Sequence, residues 1–431
     1  MRHGRRAALH ALVVWCGALA ACRAQESKPT LRFWALGQEG ERVRPMLEAF
    51  ERENPGIRVR LQQLPWTAAH EKLLTAYVGD ATPDVAQVGN TWVPEFVALR
   101  ALEPLDPWIA SSAVVDPGAY FDGIWRTNVL DGTAFGIPWY VDTRVLFYRT
   151  DILTRAGYDA MPTTWQEWRE AMAAVSRVLG PGRHAIFLPT NEWVQPVVLG
   201  LQAGAPLLRD SARYGAFRDS AFRRAFEFYV GLYQSGAAAP MGNNDVANPY
   251  QEFARGTFAM WITGPWNLGE FRRRLPRALQ DQWATAPLPG PTGATSGVSL
   301  AGGSSLVLFR ASARKSEGWK LIEFLSRADQ QRRLYDLTGD LPARREVWQA
   351  AGLDRHQHTR AFWEQLHRVV PLPQVPEWEL IATKVIENAE RAIRAGTPAD
   401  QVLDRLDRDV DRVLAKRRWL LARDSARGPG R

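Results

Sequence analysis

Between residues 30 and 64 the chain changes its hydrophobic period twice, and that change restricts the fold more than any other feature. Thr30 to Leu36 is a short apolar strand candidate, followed by Gly37-Gln38-Glu39-Gly40. Val43, Met46, Leu47 and Phe50 then fall at i, i+3, i+4 and i+7, the spacing of one buried helix face. Asn54-Pro55-Gly56 stops that helix, and Ile57 to Leu64 alternates as a second strand. Strand, helix and strand at this distance predict a right-handed crossover in a parallel sheet. A helix over 68–78 and a strand over 84–88 continue the pattern, so the fold class is α/β.

The length, 431 residues, exceeds what one core usually organises, which predicts two lobes. Beyond the first 21 residues no apolar run is long enough to span a bilayer, so the body is expected to be water-soluble. The net charge is +8, but Arg2, Arg5 and Arg6 sit in an N-terminal segment without acidic residues. Elsewhere the two signs alternate, as in Glu390-Arg391 and Asp404-Arg405-Leu406-Asp407-Arg408. A nucleic-acid surface needs a one-sided basic stripe, and nucleic acid is not an expected partner.

The two cysteines, Cys16 and Cys22, both stand near the N-terminus. Structural disulfides and thiolate metal sites are therefore excluded from the body, which suits an oxidising exterior. Residues 1–21 read as a signal peptide, with a basic start and a short apolar stretch from Ala7 to Leu19. Leu19-Ala20-Ala21-Cys22 resembles the bacterial lipoprotein processing box, which implies lipid attachment at Cys22. Residues 22–29 then form a tether. The expected location is extracytoplasmic, lipid-anchored to a membrane facing the periplasm or the cell surface.

Further helices are marked by their ends and faces. Thr164-Trp165-Gln166-Glu167 is a capping box opening a helix to about Val178. Residues 220–233 and 315–335 are amphipathic, and Leu403, Leu406, Val410, Val413 and Leu414 line one face of a last helix. The end of the chain, from Ser425, is expected to fray.

Several ordered segments then carry a resemblance over nearly the whole mature chain. They are residues 50–57 (Phe-Glu-Arg-Glu-Asn-Pro-Gly-Ile), Pro83-Asp84-Val85, Gly136-Ile137-Pro138-Trp139-Tyr140-Val141-Asp142, Phe147-Tyr148-Arg149, Pro162-Thr163-Thr164-Trp165, residues 253–260 (Phe-Ala-Arg-Gly-Thr-Phe-Ala-Met) and Gly264-Pro265-Trp266. In this order the chain resembles the extracellular solute-binding proteins of bacterial ABC-type sugar importers, the maltose/trehalose-binding-protein-like family. The resemblance implies a two-lobe periplasmic-binding-protein fold with discontinuous lobes joined by crossing strands. Lobe one would comprise 30–138 and 290–338, and lobe two 139–289 and 339–431. Crossings are expected near 138–142 and 284–289. It further implies a carbohydrate ligand, integral-membrane permease subunits with a cytoplasmic ATPase as partners, a monomer, no cofactor, no metal and no catalysis.

A sugar presents apolar C–H faces and a rim of hydroxyls, so its site needs aromatic platforms and short polar groups. Trp266 follows a Gly264-Pro265 turn that displays its ring, at a position where the resemblance implies a stacking aromatic. Trp261 and Thr263 are weaker candidates. Trp139, Tyr140 and Asp142 flank the first crossing, and the resemblance gives Asp142 a ligand-binding carboxylate; an ion pair with Arg144 is the alternative. Gln38 and Glu39 follow the first strand, and Asn90, Thr91 and Trp92 follow the strand over 84–88, where open α/β sheets bind ligands. Asn90 or Thr91 could equally cap a helix. Gly302, Gly303 and Ser304 could bring backbone N–H groups to hydroxyls, or could be a turn. Trp193, in the polar-aromatic loop Asn191-Glu192-Trp193, and Arg344, Trp378 and Glu379 complete the candidates.

Other readings are open at this point. A polyol, nucleoside or glycerol-phosphate-type ligand fits the same binding role. A secreted glycoside-acting enzyme would need two facing carboxylates, for which Asp142 and Glu39 are the available pair. A metal carrier would need clustered ligands, and His70, His184, His356, His358 and His367 are scattered.

Overall fold

The computed structural model describes residues 30–427, with side chains to 423. Cys16, Cys22, the expected signal peptide and the tether lie outside the described residues. The strands run β1 (Thr30–Leu36), β2 (Arg58–Leu64), β3 (Val85–Gly89), β4 (Ile137–Asp142), β5 (Val145–Arg149), β6 (His184–Phe187), β7 (Phe258–Thr263), β8 (Trp283–Ala286), β9 (Gly302–Leu308) and β10 (Leu341–Pro342). Among the described residues they build a six-stranded sheet, β10-β4-β9-β3-β1-β2, and a four-stranded sheet, β8-β5-β7-β6.

The expected βαβ unit is present. β1 pairs parallel to β2 from Thr30↔Arg58 to Leu36↔Leu64, and parallel to β3 at Phe33↔Val85. The intervening helix Arg44–Glu53 buries Met46, Leu47 and Phe50. The sheet as a whole is mixed, because β9 runs antiparallel to both β3 and β4.

Alternation along the strands gives the six-stranded sheet two buried faces. Leu31, Phe33 and Ala35 of β1 and Leu306 and Leu308 of β9 enter one core. Trp34, Leu36 and Val307 enter a second, under the helix Trp66–Val78. The first core continues through Phe121, Trp348 and Phe362 to Phe147 and Trp283 on the four-stranded sheet and Phe271 of the helix Trp266–Arg274. The other face of that sheet, with Leu146, Ile186 and Met260, packs under the helices Trp165–Leu179, Val194–Gln202, Ser220–Gln234 and Trp378–Ala395. Thr164 caps the first of these by accepting from the Glu167 N–H at 3.1 Å, as the capping box predicts, an interaction that contributes about 1 kcal/mol.

Three expectations differ from the structure. Trp139–Asp142 is expected to form the first crossing and open lobe two, yet β4 pairs with β9 as far as Asp142↔Gly302, and the chain changes sheet only at Thr143-Arg144. Likewise Leu341–Pro342 belongs to the six-stranded sheet, pairing with Val141 and Tyr140. The amphipathic stretch 315–335 is two helices, Lys315–Ser326 and Ala328–Thr338, broken at Arg327 with extended backbone (φ −61, ψ 147). One apolar period across both hides such a break.

The connections between the sheets are tied to each other. The Thr143 hydroxyl donates to the Leu300 carbonyl at 2.9 Å, and the Arg144 N–H donates to Ser299 Oγ at 3.2 Å. Ser299–Leu300 in turn pairs parallel with Val369–Val370.

Candidate functional site

The carboxyl ends of β1, β2 and β3 open on one side of the six-stranded sheet, and the antiparallel β9 begins there. The residues after those strands therefore share an edge: Gln38 and Glu39 after β1, Trp66 after β2, Asn90 to Trp92 after β3. From β4 come Tyr140 and Asp142, from β9 Gly302 and Gly303, and Asp340 stands just ahead of β10. Facing them are Trp193 and Val194 from the connection after β6, and Pro265 and Trp266 after β7. Together they line a cleft of about 400 Å³ between the two sheets. A cleft at strand carboxyl ends is the usual ligand position of open α/β folds.

Backbone geometry at two glycines shapes this cleft. Gly303 has φ +129, and a Cβ there would lie 2.3 Å from the Tyr140 carbonyl oxygen. Only glycine fits this approach of β9 to β4, beside the register shift at Ser304/Ser305. At Gly264 a Cβ would meet the Trp266 ring at 2.0 Å, so the indole lies directly against the turn that precedes it. Trp266 opens the helix Trp266–Arg274 and stays 42% exposed, unusual for so large an apolar side chain.

The six-stranded side is a set of hydrogen-bonding groups removed from water. Asn90 is buried; its Oδ1 accepts from Ser305 Oγ at 2.9 Å, which leaves Nδ2 without a protein acceptor. Glu39 and Asp340 are buried as well, and Glu39 Oε2 and Asp340 Oδ2 find no protein donor. The two carboxyls are close neighbours, and the negative charge of either disfavours ionisation of the other. Burial raises the Glu39 carboxyl above its ordinary range, opposed by polar contacts to Asp340, Tyr140 and Trp66. Burial, and then the neighbouring Glu39, push Asp340 well up. Asp142 is raised by burial and partly restored by Arg144, whose Nη1 donates to Asp142 Oδ1 at 2.6 Å.

Arg144 also places its guanidinium 4.5 Å from the centroid of the Trp266 ring. One residue on the crossing segment thus touches the carboxylate of one sheet and the ring of the other. The remaining rings are held by packing. Trp92 lies 5.6 Å from Trp66 and 5.0 Å from His70, itself 2.7 Å from Glu95, and Trp193 stands edge-on to Trp378 at 5.5 Å.

The structure brings most of the sequence candidates together: Gln38, Glu39, Asn90, Thr91, Trp92, Tyr140, Asp142, Trp193, Trp266, Gly302 and Gly303 all line the cleft. Others do not. Trp139 is fully buried against Phe33, because alternation along β4 turns it away from Tyr140. Ser304 is buried within β9. Arg344 donates to the Val114 carbonyl and pairs with Glu346, on the far side of β10. Trp378 is buried behind Trp193, and Glu379, half-buried in the same helix turn, is not among the lining residues. Trp261 packs in the core, Thr263 accepts from Asn267 Nδ2, and Asn191 and Glu192 hold Asn243.

Sequence reasoning missed Trp66, Asp340 and the second contact of Arg144. Trp66 could have been found by the strand-end rule that found Asn90, since Leu64-Pro65 closes β2. Asp340 carries no local signal, because contacts distant in sequence bring it to Glu39: β10 pairs with β4, and Arg42 donates to the Leu337 carbonyl. Among the described residues no group of three or more His, Cys, Asp or Glu is arranged to hold a metal ion, and no helix is long and apolar enough to cross a membrane.

Two sheets joined by paired crossing segments, with an aromatic and polar cleft between them, define a binding protein of the two-lobe class. Residues 34–332 match the family described as bacterial extracellular solute-binding protein, and the chain belongs to that family. It is 48% identical to the sugar-binding protein MalE of the phytopathogen Xanthomonas citri, superposing with a TM-score of 0.88 over 91% of this chain and 99% of that one. A lipoprotein encoded in the oleD 5′ region of Streptomyces antibioticus is 26% identical, covering 81% of this chain and 80% of its own. The galactooligosaccharide-binding protein of Bacillus subtilis is 22% identical over 90% of this chain and 91% of its own. The family, the X. citri protein and the B. subtilis protein are described as binding proteins.

Proposed function

We propose that the chain captures a sugar or oligosaccharide in this cleft by closing its two lobes on it. The closed form is then presented to integral-membrane permease subunits driven by a cytoplasmic ATPase. The observation that carries the ligand class is the composition of the cleft: Trp92, Trp193 and Trp266 supply flat apolar faces, while Asn90, Glu39, Asp142 and Asp340 supply hydrogen-bonding groups. Rings cover C–H faces at little entropic cost and fixed polar groups read hydroxyls. The sugar-binding neighbours support the same class.

Closure follows from the crossing segments, since a ligand touching both sides favours whichever arrangement brings them together. A thermal-shift screen over mono-, di- and oligosaccharides tests the ligand class, because a bound ligand stabilises by mass action. Stabilisation by polyols, nucleosides or glycerol phosphates, with none by any carbohydrate, would overturn it. With a confirmed ligand, solution scattering should show a smaller radius of gyration.

The protein acts outside the cytoplasmic membrane as a monomer, held by a lipid on Cys22. Leu19-Ala20-Ala21-Cys22 and the S. antibioticus lipoprotein support this. Cys22→Ser should abolish incorporation of labelled fatty acid, and equal labelling of variant and parent would remove the anchor from Cys22.

A further inference from the structure

The chain does not end where its last expected helix ends. After Leu414 a separate helix, Ala415–Arg427, begins, and its composition differs from the helix before it. In Ala399–Val413 acids and arginines pair, as in Arg405–Asp409 and Arg412–Asp409. From 415 to 431 six Lys and Arg stand against the single acid Asp424.

This helix is docked by one side. Arg418 donates to the Arg213 carbonyl at 3.0 Å and lies over the Tyr214 ring at 4.7 Å. Arg417 reaches Glu377 at 3.9 Å. On the other side, Lys416, Trp419, Leu420 and Arg423 follow i, i+3, i+4 and i+7 and are all exposed, Trp419 to 56% and Leu420 to 43%. The Arg423 guanidinium sits 4.5 Å over the Trp419 ring. A face of this kind, two large apolar groups flanked by Lys416 and Arg423, matches an anionic headgroup layer: the ring and leucine enter the boundary while the cations meet phosphates. An acidic or neutral protein surface would answer one half of it.

We propose that this helix face, Lys416, Trp419, Leu420 and Arg423, rests on the surface of a bilayer containing anionic phospholipid. The contact lies on an end of the chain remote in sequence from Cys22, so it would fix the orientation of the body over the membrane rather than merely its distance. It does not depend on the identity of the ligand in the cleft.

The test uses the mature chain carrying Cys22→Ser, so that no acyl chain contributes, and phosphatidylcholine vesicles with and without phosphatidylglycerol. Sedimentation should show binding to the phosphatidylglycerol vesicles that weakens as salt is added, because each cation near such a surface raises partitioning by roughly fivefold at low ionic strength. Lys416→Glu with Arg423→Glu should remove that binding. Trp419→Ala with Leu420→Ala should leave a weaker, wholly salt-sensitive remainder. All four positions are exposed, and retained circular dichroism and melting temperature show that the variants fold. No binding by the parent chain, or equal binding by the charge-reversed variant, overturns the proposal. Concentration-dependent dimerisation lost with Trp419→Ala would also overturn it, reassigning the face to a second copy of the chain.

Discussion

The two walls of the cleft both carry rings, Trp66 and Trp92 on the six-stranded side and Trp193 and Trp266 on the other, but they differ in their polar groups. On the six-stranded side Asn90, Glu39 and Asp340 are buried polar groups, positioned by strand ends and short of protein partners, beside the buried Tyr140. The four-stranded side contributes Trp193, Pro265 and the exposed ring of Trp266. Polar atoms must be fixed to tenths of an ångström to bond well, and these sit on or next to the ends of paired strands, which hold the backbone in place. A ring covering an apolar face tolerates more displacement, and here it starts a helix after a turn. The difference suggests that one wall reads the ligand's outline and the other adds area once the lobes approach.

The largest expected effect comes from the ring wall. Trp266→Ala should weaken ligand binding about 5- to 150-fold, by analogy with base stacking at roughly 1–3 kcal/mol per ring. The melting temperature of the ligand-free protein should barely move, because an exposed position leaves little cavity. Titration and unfolding of the same variant decide the matter: normal affinity with a large loss of stability would make Trp266 a packing residue and erase the division between the walls.

Next comes the polar wall. Asp142→Asn should cost about tenfold or more, the loss of one charge-assisted hydrogen bond of roughly 1.5–3 kcal/mol. Because Arg144 bonds Asp142 and stacks on Trp266, the variant also loosens the ring. The two losses should therefore be less than additive in the double variant. Strict additivity by calorimetry would show that Arg144 does not couple the walls.

The smallest effect is in pH. Glu39 and Asp340 have folded-state values raised above their ordinary ones. Raised carboxyls bind more protons folded than unfolded, so their contribution to stability is complete below the ordinary carboxyl range and is lost as pH rises through the raised values. The ligand-free protein should therefore melt higher as pH falls from neutral toward about 5, and Asp340→Asn should flatten that slope. A slope unchanged in Asp340→Asn would show that this buried pair does not set the pH dependence.

Local signals carried much of this in the sequence. The period change between Thr30 and Leu64, the capping box at Thr164 and the strand-end position of Asn90 depend on neighbours within a few residues. What stayed hidden depends on long-range pairing. Asp340 reaches Glu39 through β10 and the Arg42–Leu337 contact, and the sheet to which Trp139–Asp142 belongs is decided by β9, some 160 residues on. Trp139 and Tyr140 also show the limit of motif reasoning. Both stand in the same matched segment, yet the two-residue period of a strand puts one in the cleft and the other in the core.

The amide of Asn90 has a consequence for selectivity. Ser305 Oγ occupies its oxygen, so the side chain can offer the cleft a donor and little else, while Glu39, Asp142 and Asp340 bring oxygens that accept when ionised. On the proposed reading this fixed polarity sorts stereoisomers. A sugar epimer with one hydroxyl inverted, or a deoxy analogue lacking it, would occupy the same volume beneath the same rings while stranding a buried donor or acceptor. Leaving such a group unpaired costs roughly 1–3 kcal/mol, so rejection would be electrostatic rather than steric. The most informative competitors would then be those that match the true ligand in shape.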